Sequence, residues 1–262
     1  MRPVVALLTD FGAQDHYAGT MKGVMLGICP EATLVDISHE VPAHDVLAGA
    51  LELAAAYRYF PVGTIFLVVV DPGVGSARRG LVVRTGGYTF VAPDNGVLTT
   101  VIEECPPAVI VELTEPRYAR QAVSRTFEGR DRFAPAAAWL ATGADITTFG
   151  PSVSAVTRLA IAKPVVGPDG IAGQVLRIDR FGNLVTNIDR ETFERVAGPR
   201  PTVQIGACLV TKMVSTYAEV AAGAVCALFS STDHLEIAAN GTSAARALDV
   251  ERGTPVHVAR SA

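Results

Sequence analysis

The first 160 residues alternate between short hydrophobic segments and segments in which apolar residues recur with helical spacing. The predicted helices are residues 18–28, 46–57 (with Asp45 as N-cap) and 132–140. The predicted strands are residues 3–9, 33–37, 64–70, 81–85, 89–92 and 108–112, with a hairpin around Gly86-Gly87. This alternation predicts an α/β amino-terminal domain with a mainly parallel layered sheet.

The character of the sequence changes between Lys163 and Gly170. Beyond this point short strand-like segments are separated by turn residues, with almost no helical periodicity. These predicted strands are residues 173–179, 184–188, 202–205, 224–229, 235–239 and 254–259. The pattern indicates a small all-β barrel, and hence two domains, 1–162 and 170–262.

Composition argues against several classes of protein. A formal net charge of −4 over 262 residues gives no electrostatic basis for binding nucleic acid or an anionic membrane. The longest apolar runs are strand-sized and the amino terminus lacks a signal-peptide pattern, so we expect a cytoplasmic protein. The four cysteines and five histidines show no metal-ligand spacing, and we expect no metal. The sequence contains no GxGxxG or GxxxxGK(S/T) nucleotide-binding motif, no GxSxG hydrolase motif and no HExxH zinc-protease motif.

Asp71 follows the predicted buried strand 64–70, and Arg78 comes seven residues later, after the turn Pro72-Gly-Val-Gly75. Open parallel sheets bind their ligands at the carboxyl ends of strands. A carboxylate and a guanidinium at such a position could hold and polarise a small nucleophile. An ordinary Asp-Pro-Gly turn followed by a solvated arginine explains the same residues.

Asp10 also follows a predicted strand, and Asp15 lies just beyond it. A carboxylate at this position suits a ribose diol, because two adjacent hydroxyls can each donate to one oxygen. Alternatively, Asp10 caps the following helix or turn. Asn95 follows another strand in Pro93-Asp-Asn-Gly96, a sequence common in simple turns.

Charged residues are concentrated in Thr126-Phe-Glu-Gly-Arg-Asp-Arg132, immediately before a predicted helix. Asp131 is a candidate cap for that helix, and the two arginines are candidate surface charges. Glu128 fits this explanation least well. In the second domain, carboxylate and amide groups surround the Asp179–Asn183 turn, where they grip an ammonium group or an adenine edge, or satisfy a hairpin.

Seven motifs in collinear order resemble one family, the S-adenosyl-L-methionine hydroxide adenosyltransferases, which are relatives of fluorinase and chlorinase enzymes. The resemblance covers essentially the whole chain. The motifs are Thr9-Asp-Phe-Gly12, Lys22-Gly-Val-Met25, Val35-Asp-Ile-Ser-His39, Asp71-Pro-Gly-Val-Gly75, Pro93-Asp-Asn-Gly96, Thr126-Phe-Glu-Gly-Arg-Asp131 and Asp179-Arg-Phe-Gly-Asn-Leu-Val-Thr-Asn187.

This resemblance implies hydrolysis of S-adenosyl-L-methionine to adenosine and L-methionine, without a metal or cofactor. It also implies a homotrimer whose active sites lie between one subunit's α/β domain and its neighbour's barrel. By the same resemblance Asp10 binds the ribose hydroxyls, while Asp71 and Arg78 hold the attacking water. The implied catalytic residues are Asp71, Arg78 and Glu128, and the implied substrate-binding residues are Asp10, Asp15, Asn95, Phe127, Asp179, Asn183, Ser231 and Asn240.

Within this set, Asp179 and Ser231 would hold the methionine end of the substrate, and Asn183 and Asn240 would contact it from the barrel. The requirements of this hydrolysis can be met by the implied catalytic residues. Water must be held in line with C5′, the leaving thioether is neutral and needs no general acid, and one carboxylate base suffices. Because Asp71 is an anion, it repels halide ions and favours hydrolysis over halogenation.

The chain departs from the family pattern at two places. Glu128 stands where the hydrolases usually have histidine, and Ser230-Ser-Thr-Asp-His234 replaces an expected Asn-Ser-x-Gly-Tyr segment. The first departure supports an alternative, a non-catalytic protein that binds adenosine or S-adenosyl-L-methionine. A halide-transferring enzyme is the third hypothesis.

Overall fold

A six-stranded sheet lies at the centre of the amino-terminal unit in the computed structural model. The structure describes residues 2–260, and the chain divides into two units, Met1–Ala160 and Ile161–Ala262. The strands of the first sheet are β1 (Val4–Thr9), β2 (Thr33–Ser38), β3 (Ile65–Val69), β4 (Gly80–Thr85), β5 (Tyr88–Pro93) and β6 (Val109–Glu112). Their order in the sheet is β2-β1-β3-β5-β4-β6.

This sheet is mixed, so the prediction of an α/β unit with a mainly parallel sheet is confirmed only in part. Strands β2, β1, β3 and β5 run parallel, whereas β4 is antiparallel to both β5 and β6. The hairpin predicted around Gly86-Gly87 is confirmed and explains the reversal. Both glycines have positive φ, 58° and 85°, as a two-residue hairpin turn requires, and such a turn returns the chain antiparallel.

Helices cover both faces of the sheet. They are α1 (Tyr17–Ile28), α2 (Val46–Ala56), α3 (Thr99–Glu104) and α4 (Ala134–Ala141). In β1, Val5 and Leu7 face the core under α1 and α4, while Ala6 and Leu8 face the core under α2. Both faces of the central strands are therefore buried, which explains why these strands read as continuous hydrophobic runs.

Local sequence signals account for the start of α2 and the approach to α4. The predicted N-cap of α2 is confirmed, since Asp45 Oδ1 accepts from Ala48 N at 2.9 Å. A π-helical turn, Gly129–Phe133, leads directly into α4. Asp131 lies inside this turn, so the alternative that it caps the helix is wrong.

An antiparallel, barrel-like sheet forms the second unit. Its strands are β7 (Val165–Gly167), β8 (Gly170–Ile178), β9 (Leu184–Asp189), β10 (Thr202–Ile205), β11 (Cys208–Val210), β12 (Val225–Phe229), β13 (His234–Ala239) and β14 (Pro255–Ala259). They follow the order β11-β10-β14-β8-β9-β13-β12, with β7 paired to β8. Met213, just after β11, bridges to Ala227 in β12, so the two ends of the sheet nearly meet.

Two short helices in this unit were not predicted, α5 (Arg190–Val196) and α6 (Ala244–Leu248). Each has a side-chain cap, Asp189 for α5 and Ser243 for α6. Both are too short to show helical periodicity in the sequence. No helix in residues 2–260 has the length and apolar character needed to cross a membrane.

We predict that Gly80→Ala destabilises the protein by about 1–3 kcal/mol, because overpacking a filled site costs that much. A Cβ at Gly80 would lie 2.6 Å from Phe133 Cε1. The matched control is Gly27→Ala in α1, where no atom lies within 4 Å of the added carbon. There we expect a small stabilisation, since alanine favours helix. Denaturant unfolding measures both, and equal stabilities would contradict this description of the β4 core.

Candidate active site

Asp71 and Arg78 meet at the carboxyl end of β3. The turn between them is closed by Val74 N donating to Asp71 O and Ser76 N donating to Gly73 O, at 3.2 and 3.1 Å. It brings Arg78 Nε within 2.9 Å of both Asp71 carboxylate oxygens, and Nη2 also donates to Oδ2. The two side chains are only 5% and 9% exposed, so the alternative of a solvated arginine is wrong.

The turn has this shape because glycine occupies two crowded positions. Gly75 has φ +76°, and a Cβ there would collide with the carbonyl oxygen of Arg125. A Cβ at Gly73 would lie 3.2 Å from Arg78 Cγ. Glycine therefore allows the loop to close tightly over the arginine.

Glu128 joins this pair from the segment before α4. Its Oε2 accepts from Arg78 Nη2 at 2.5 Å, and its Oε1 accepts from Arg132 Nη1 at 3.4 Å. Arg132 is held in turn by a 2.8 Å hydrogen bond from Nη2 to Leu113 O. The structure thus brings the three predicted catalytic residues together and adds Arg132, which the sequence analysis treated as a surface charge.

Burial and charge act in opposite directions on Arg78. Burial alone would lower the pKa of Arg78, but the hydrogen bond and charge of Asp71, together with the charge of Glu128, outweigh it and raise the pKa. The guanidinium also lies over the Phe133 ring, 4.9 Å from its centroid. Arg78 is therefore a permanent cation between two carboxylates, and Arg132 offsets the second negative charge.

One nitrogen of this arginine has no partner. Within residues 2–260, Nη1 of Arg78 is the one buried side-chain nitrogen or oxygen without a hydrogen bond. Leaving a buried donor unsatisfied costs roughly 1–3 kcal/mol, more for a charged group. Arg78 thus keeps one buried donor on the side away from the Nε–Nη2 edge that faces Asp71.

The π-helical turn fixes Glu128 through a second buried acid. Asp131 is fully buried, accepts from Ser124 N at 2.8 Å, and pairs with Arg120 and Arg130. Burial would raise the pKa of Asp131, but the hydrogen bonds from Arg130 and Ser124 lower it. Asp131 therefore anchors the segment that carries Glu128.

The ribose candidates lie at the end of β1. Asp10 Oδ2 accepts from His44 N at 2.8 Å, so Asp10 is bonded to the loop after β2 rather than capping α1. Asp15 is exposed. Phe127 is buried and contacts the rings of Phe11 and Tyr17, with centroids 5.9 and 5.1 Å away.

Asn95 has a different environment from the other candidates. Its Nδ2 donates to Val70 O at 2.8 Å, and its Oδ1 accepts from Val97 N at 3.2 Å. The side chain therefore links the ends of β5 and β3 immediately before Asp71.

In the second unit, Asp179 organises its own turn. Its Oδ1 accepts from Phe181 N and Asn183 N, and its Oδ2 accepts from Asn183 Nδ2 at 3.0 Å. Ser231 is exposed, and Asn240 Nδ2 donates to Val220 O at 2.7 Å.

A buried carboxylate that was not singled out in the sequence lies near Asp179 and pairs with an exposed tyrosine. Tyr217 donates to Glu236 Oε1 at 2.7 Å, and Glu236 is 3% exposed. Burial and the charge of Asp179 raise the pKa of Glu236, against the hydrogen bond from Tyr217. The only sequence signal was a charged residue among the apolar residues of the predicted strand 235–239. Residues 2–260 contain no group of three or more His, Cys, Asp or Glu side chains arranged to hold a metal.

Comparison with known families assigns both units. The model for the SAM hydroxide adenosyltransferase N-terminal domain matches residues 5–150, and that for the C-terminal domain matches residues 173–257. The chain belongs to the SAM hydroxide adenosyltransferase family. The motifs that carried the resemblance in the sequence lie within these two matches or overlap them.

Individual relatives match over nearly the whole chain. A Thermus thermophilus protein named (R)-S-adenosyl-L-methionine hydrolase is 38% identical over 268 residues, covering 98% of this chain and 100% of the relative. A Salinispora tropica protein of the same name is 36% identical, with 98% and 97% covered. A Nocardia brasiliensis protein named fluorinase is 30% identical, also with 98% and 97% covered. The crystal structure of an uncharacterized conserved protein from Thermotoga maritima superposes with a TM-score of 0.92 at 36% identity, covering 98% of this chain and 100% of that one.

Proposed function

We propose that this enzyme hydrolyses S-adenosyl-L-methionine to adenosine and L-methionine. Its family and the names of relatives at 36–38% identity support this activity. The observation that carries the proposal is the buried Asp71–Arg78 pair at the end of β3. The carboxylate can accept a proton from a water molecule, and Arg78 holds it in place through Nε and Nη2.

The reaction follows from these groups. Water donates a hydrogen bond to an Asp71 oxygen, since each carboxylate oxygen has two lone pairs, and Arg78 fixes that carboxylate through Nε and Nη2. The water oxygen attacks C5′ in line with the C5′–S bond, which breaks with its electron pair moving to sulfur. The proton of the water passes to Asp71. The sulfonium becomes a neutral thioether, so the leaving group needs no acid, metal or cofactor.

Glu128 acts in this scheme through Arg78. Its contact with Nη2, reinforced by Arg132, uses the second hydrogen of that nitrogen and so fixes the guanidinium against Asp71. Glu128 is therefore not needed as a second base, because Asp71 alone can accept the single proton that the reaction releases.

The remaining predicted residues bind the substrate. Asp10, whose Oδ2 is already fixed by His44 N, would receive the ribose hydroxyls through its free oxygen, with Asp15, Asn95 and Phe127 around the adenosine. On the barrel, Asp179 and Ser231 would hold the methionine end. Asn183 and Asn240 would contact the substrate from the same side.

We also propose a homotrimer in which each active site combines the first unit of one subunit with the barrel of its neighbour. The family resemblance supports this arrangement. So does Phe181, which is 77% exposed on the turn between Asp179 and Asn183, since a large apolar side chain beside a candidate site favours burial by a ligand or a partner.

Halide transfer is the competing activity, since some relatives are named fluorinases. The Asp71 carboxylate disfavours it, because a buried anion beside the nucleophile position repels fluoride and chloride.

We expect Asp71→Asn to lower kcat for adenosine release by about 10²–10⁴-fold, the usual contribution of a general base. Asp169→Asn, at an exposed turn of the second unit, is the control and keeps full activity. Chromatography of adenosine and methionine gives the rates. Two results would refute the proposal: a wild-type protein that binds S-adenosyl-L-methionine without releasing adenosine at any pH at which it is folded, or 5′-halo-adenosine as the main product with added halide.

Mixing two inactive variants tests the shared site. Asp71→Ala removes the base, and Ser231→Trp blocks the barrel side at an exposed position. Randomly mixed trimers, co-expressed with different tags, should regain about a quarter of wild-type activity, because that fraction of interfaces combines two intact units. Mixtures as inactive as each variant alone, or a monomeric mass near 27.4 kDa in light scattering, would contradict the shared site.

A further inference from the structure

Four polar side chains form a continuous hydrogen-bonded chain behind Asp10. Thr9 Oγ1 lies 2.8 Å from His39 Nδ1, and His39 Nε2 lies 3.0 Å from Asp36 Oδ1. Lys22 Nζ donates to the other oxygen of Asp36 at 2.5 Å. Three of them, Lys22, Asp36 and His39, belong to the motifs Lys22–Met25 and Val35–His39, for which the proposed reaction has no use.

The direction of these hydrogen bonds follows from the available donors. Burial would raise the pKa of Asp36, but hydrogen bonds from Lys22 and His39 lower it, so its carboxylate is ionised and only accepts. His39 Nε2 must then carry a proton. In the neutral ring Nδ1 is left as an acceptor for the Thr9 hydroxyl, which itself accepts from Phe11 N at 3.3 Å.

The same residues join the loops that follow β1 and β2. Gly12 N donates to His39 O at 2.7 Å, and Val41 N donates to Thr9 O at 3.4 Å. Three residues beyond Val41, His44 N holds Asp10 Oδ2. The His39 ring therefore lies at the start of the loop that fixes the Asp10 carboxylate.

Burial excludes direct contact between the substrate and Thr9, the first residue of this hydrogen-bonded chain. Thr9 is 0% exposed and only 11% of the His39 side chain is accessible. Thr9 thus resembles the hydroxyl of a Ser-His-Asp triad in its contacts, yet no substrate can reach it.

We infer that His39 is a positioning residue: through Thr9, Asp36 and the 39–44 loop it holds Asp10 in the geometry that binds the ribose diol. This inference rests on the proposed ribose-binding role of Asp10. The ligand chemistry is a nucleoside with two vicinal hydroxyls, and loss of His39 weakens recognition of those hydroxyls specifically.

The test compares adenosine with 2′,3′-dideoxyadenosine by calorimetry, which requires no turnover. Wild-type protein should prefer adenosine by about tenfold or more, as expected for hydrogen bonds to a charged group. His39→Ala should remove most of this preference, while Glu40→Ala, an exposed residue of the same loop, should keep it. In an Asp10→Ala background, which has already lost the preference, His39→Ala should have no further effect.

His39→Asn covers the case in which the alanine variant does not fold. Asparagine offers Thr9 an acceptor near the Nδ1 position but does not reach Asp36, so its preference should be intermediate. An unchanged preference in these His39 variants would overturn the inference, as would additive losses with Asp10→Ala or a wild-type protein without preference. If the preference for adenosine depends on His39 but no adenosine is released from S-adenosyl-L-methionine, the proposed reaction is rejected and the inference on His39 stands.

Discussion

The ion pair between Asp71 and Arg78 is the interaction on which the rest of this site depends. Both side chains are almost fully removed from water, which is costly unless each charge is paired and hydrogen-bonded. Three elements supply the pairing: the glycine turn after β3, the Glu128 segment, and the Phe133 ring before α4. The site thus holds a preorganised cation with one unsatisfied donor, as the proposed electrostatic role of Arg78 requires.

Each flanking contact limits where that donor can point. Nε and Nη2 are committed to carboxylates, so only Nη1 remains available. Asn95 bonds to Val70 O and stiffens the strand end from the neighbouring strand. In the proposed reaction this carboxylate receives the proton of the water, and its charge disfavours a halide ion at the same position.

Local signals predicted much of this structure. The central strands, three helices, the Gly86-Gly87 hairpin and the Asp45 cap follow from apolar periodicity and turn chemistry over a few residues. The parallel-sheet prediction is confirmed only in part, because strand alternation does not report that the chain reverses at β4. Helices α5 and α6 were missed because five to seven residues are too few to show a period.

The site was predictable as a set of residues but not as a network. The Asp71–Arg78 spacing pointed to a contact, and the collinear motifs added Glu128. Arg132 and Asp131 appeared as a surface charge and a helix cap, because a π-helical turn changes which side chains face inward. The Thr9–His39–Asp36–Lys22 chain joins residues distant in sequence, and only the adjacency of β1 and β2 brings them together.

Attack of water at C5′ of the ribose can be followed by a single-turnover reaction in water enriched in oxygen-18, with mass spectrometry of both products. We expect the heavy oxygen in the 5′-hydroxyl of adenosine, and methionine released without label. Unlabelled adenosine, or heavy oxygen in the amino acid product, would contradict attack at C5′.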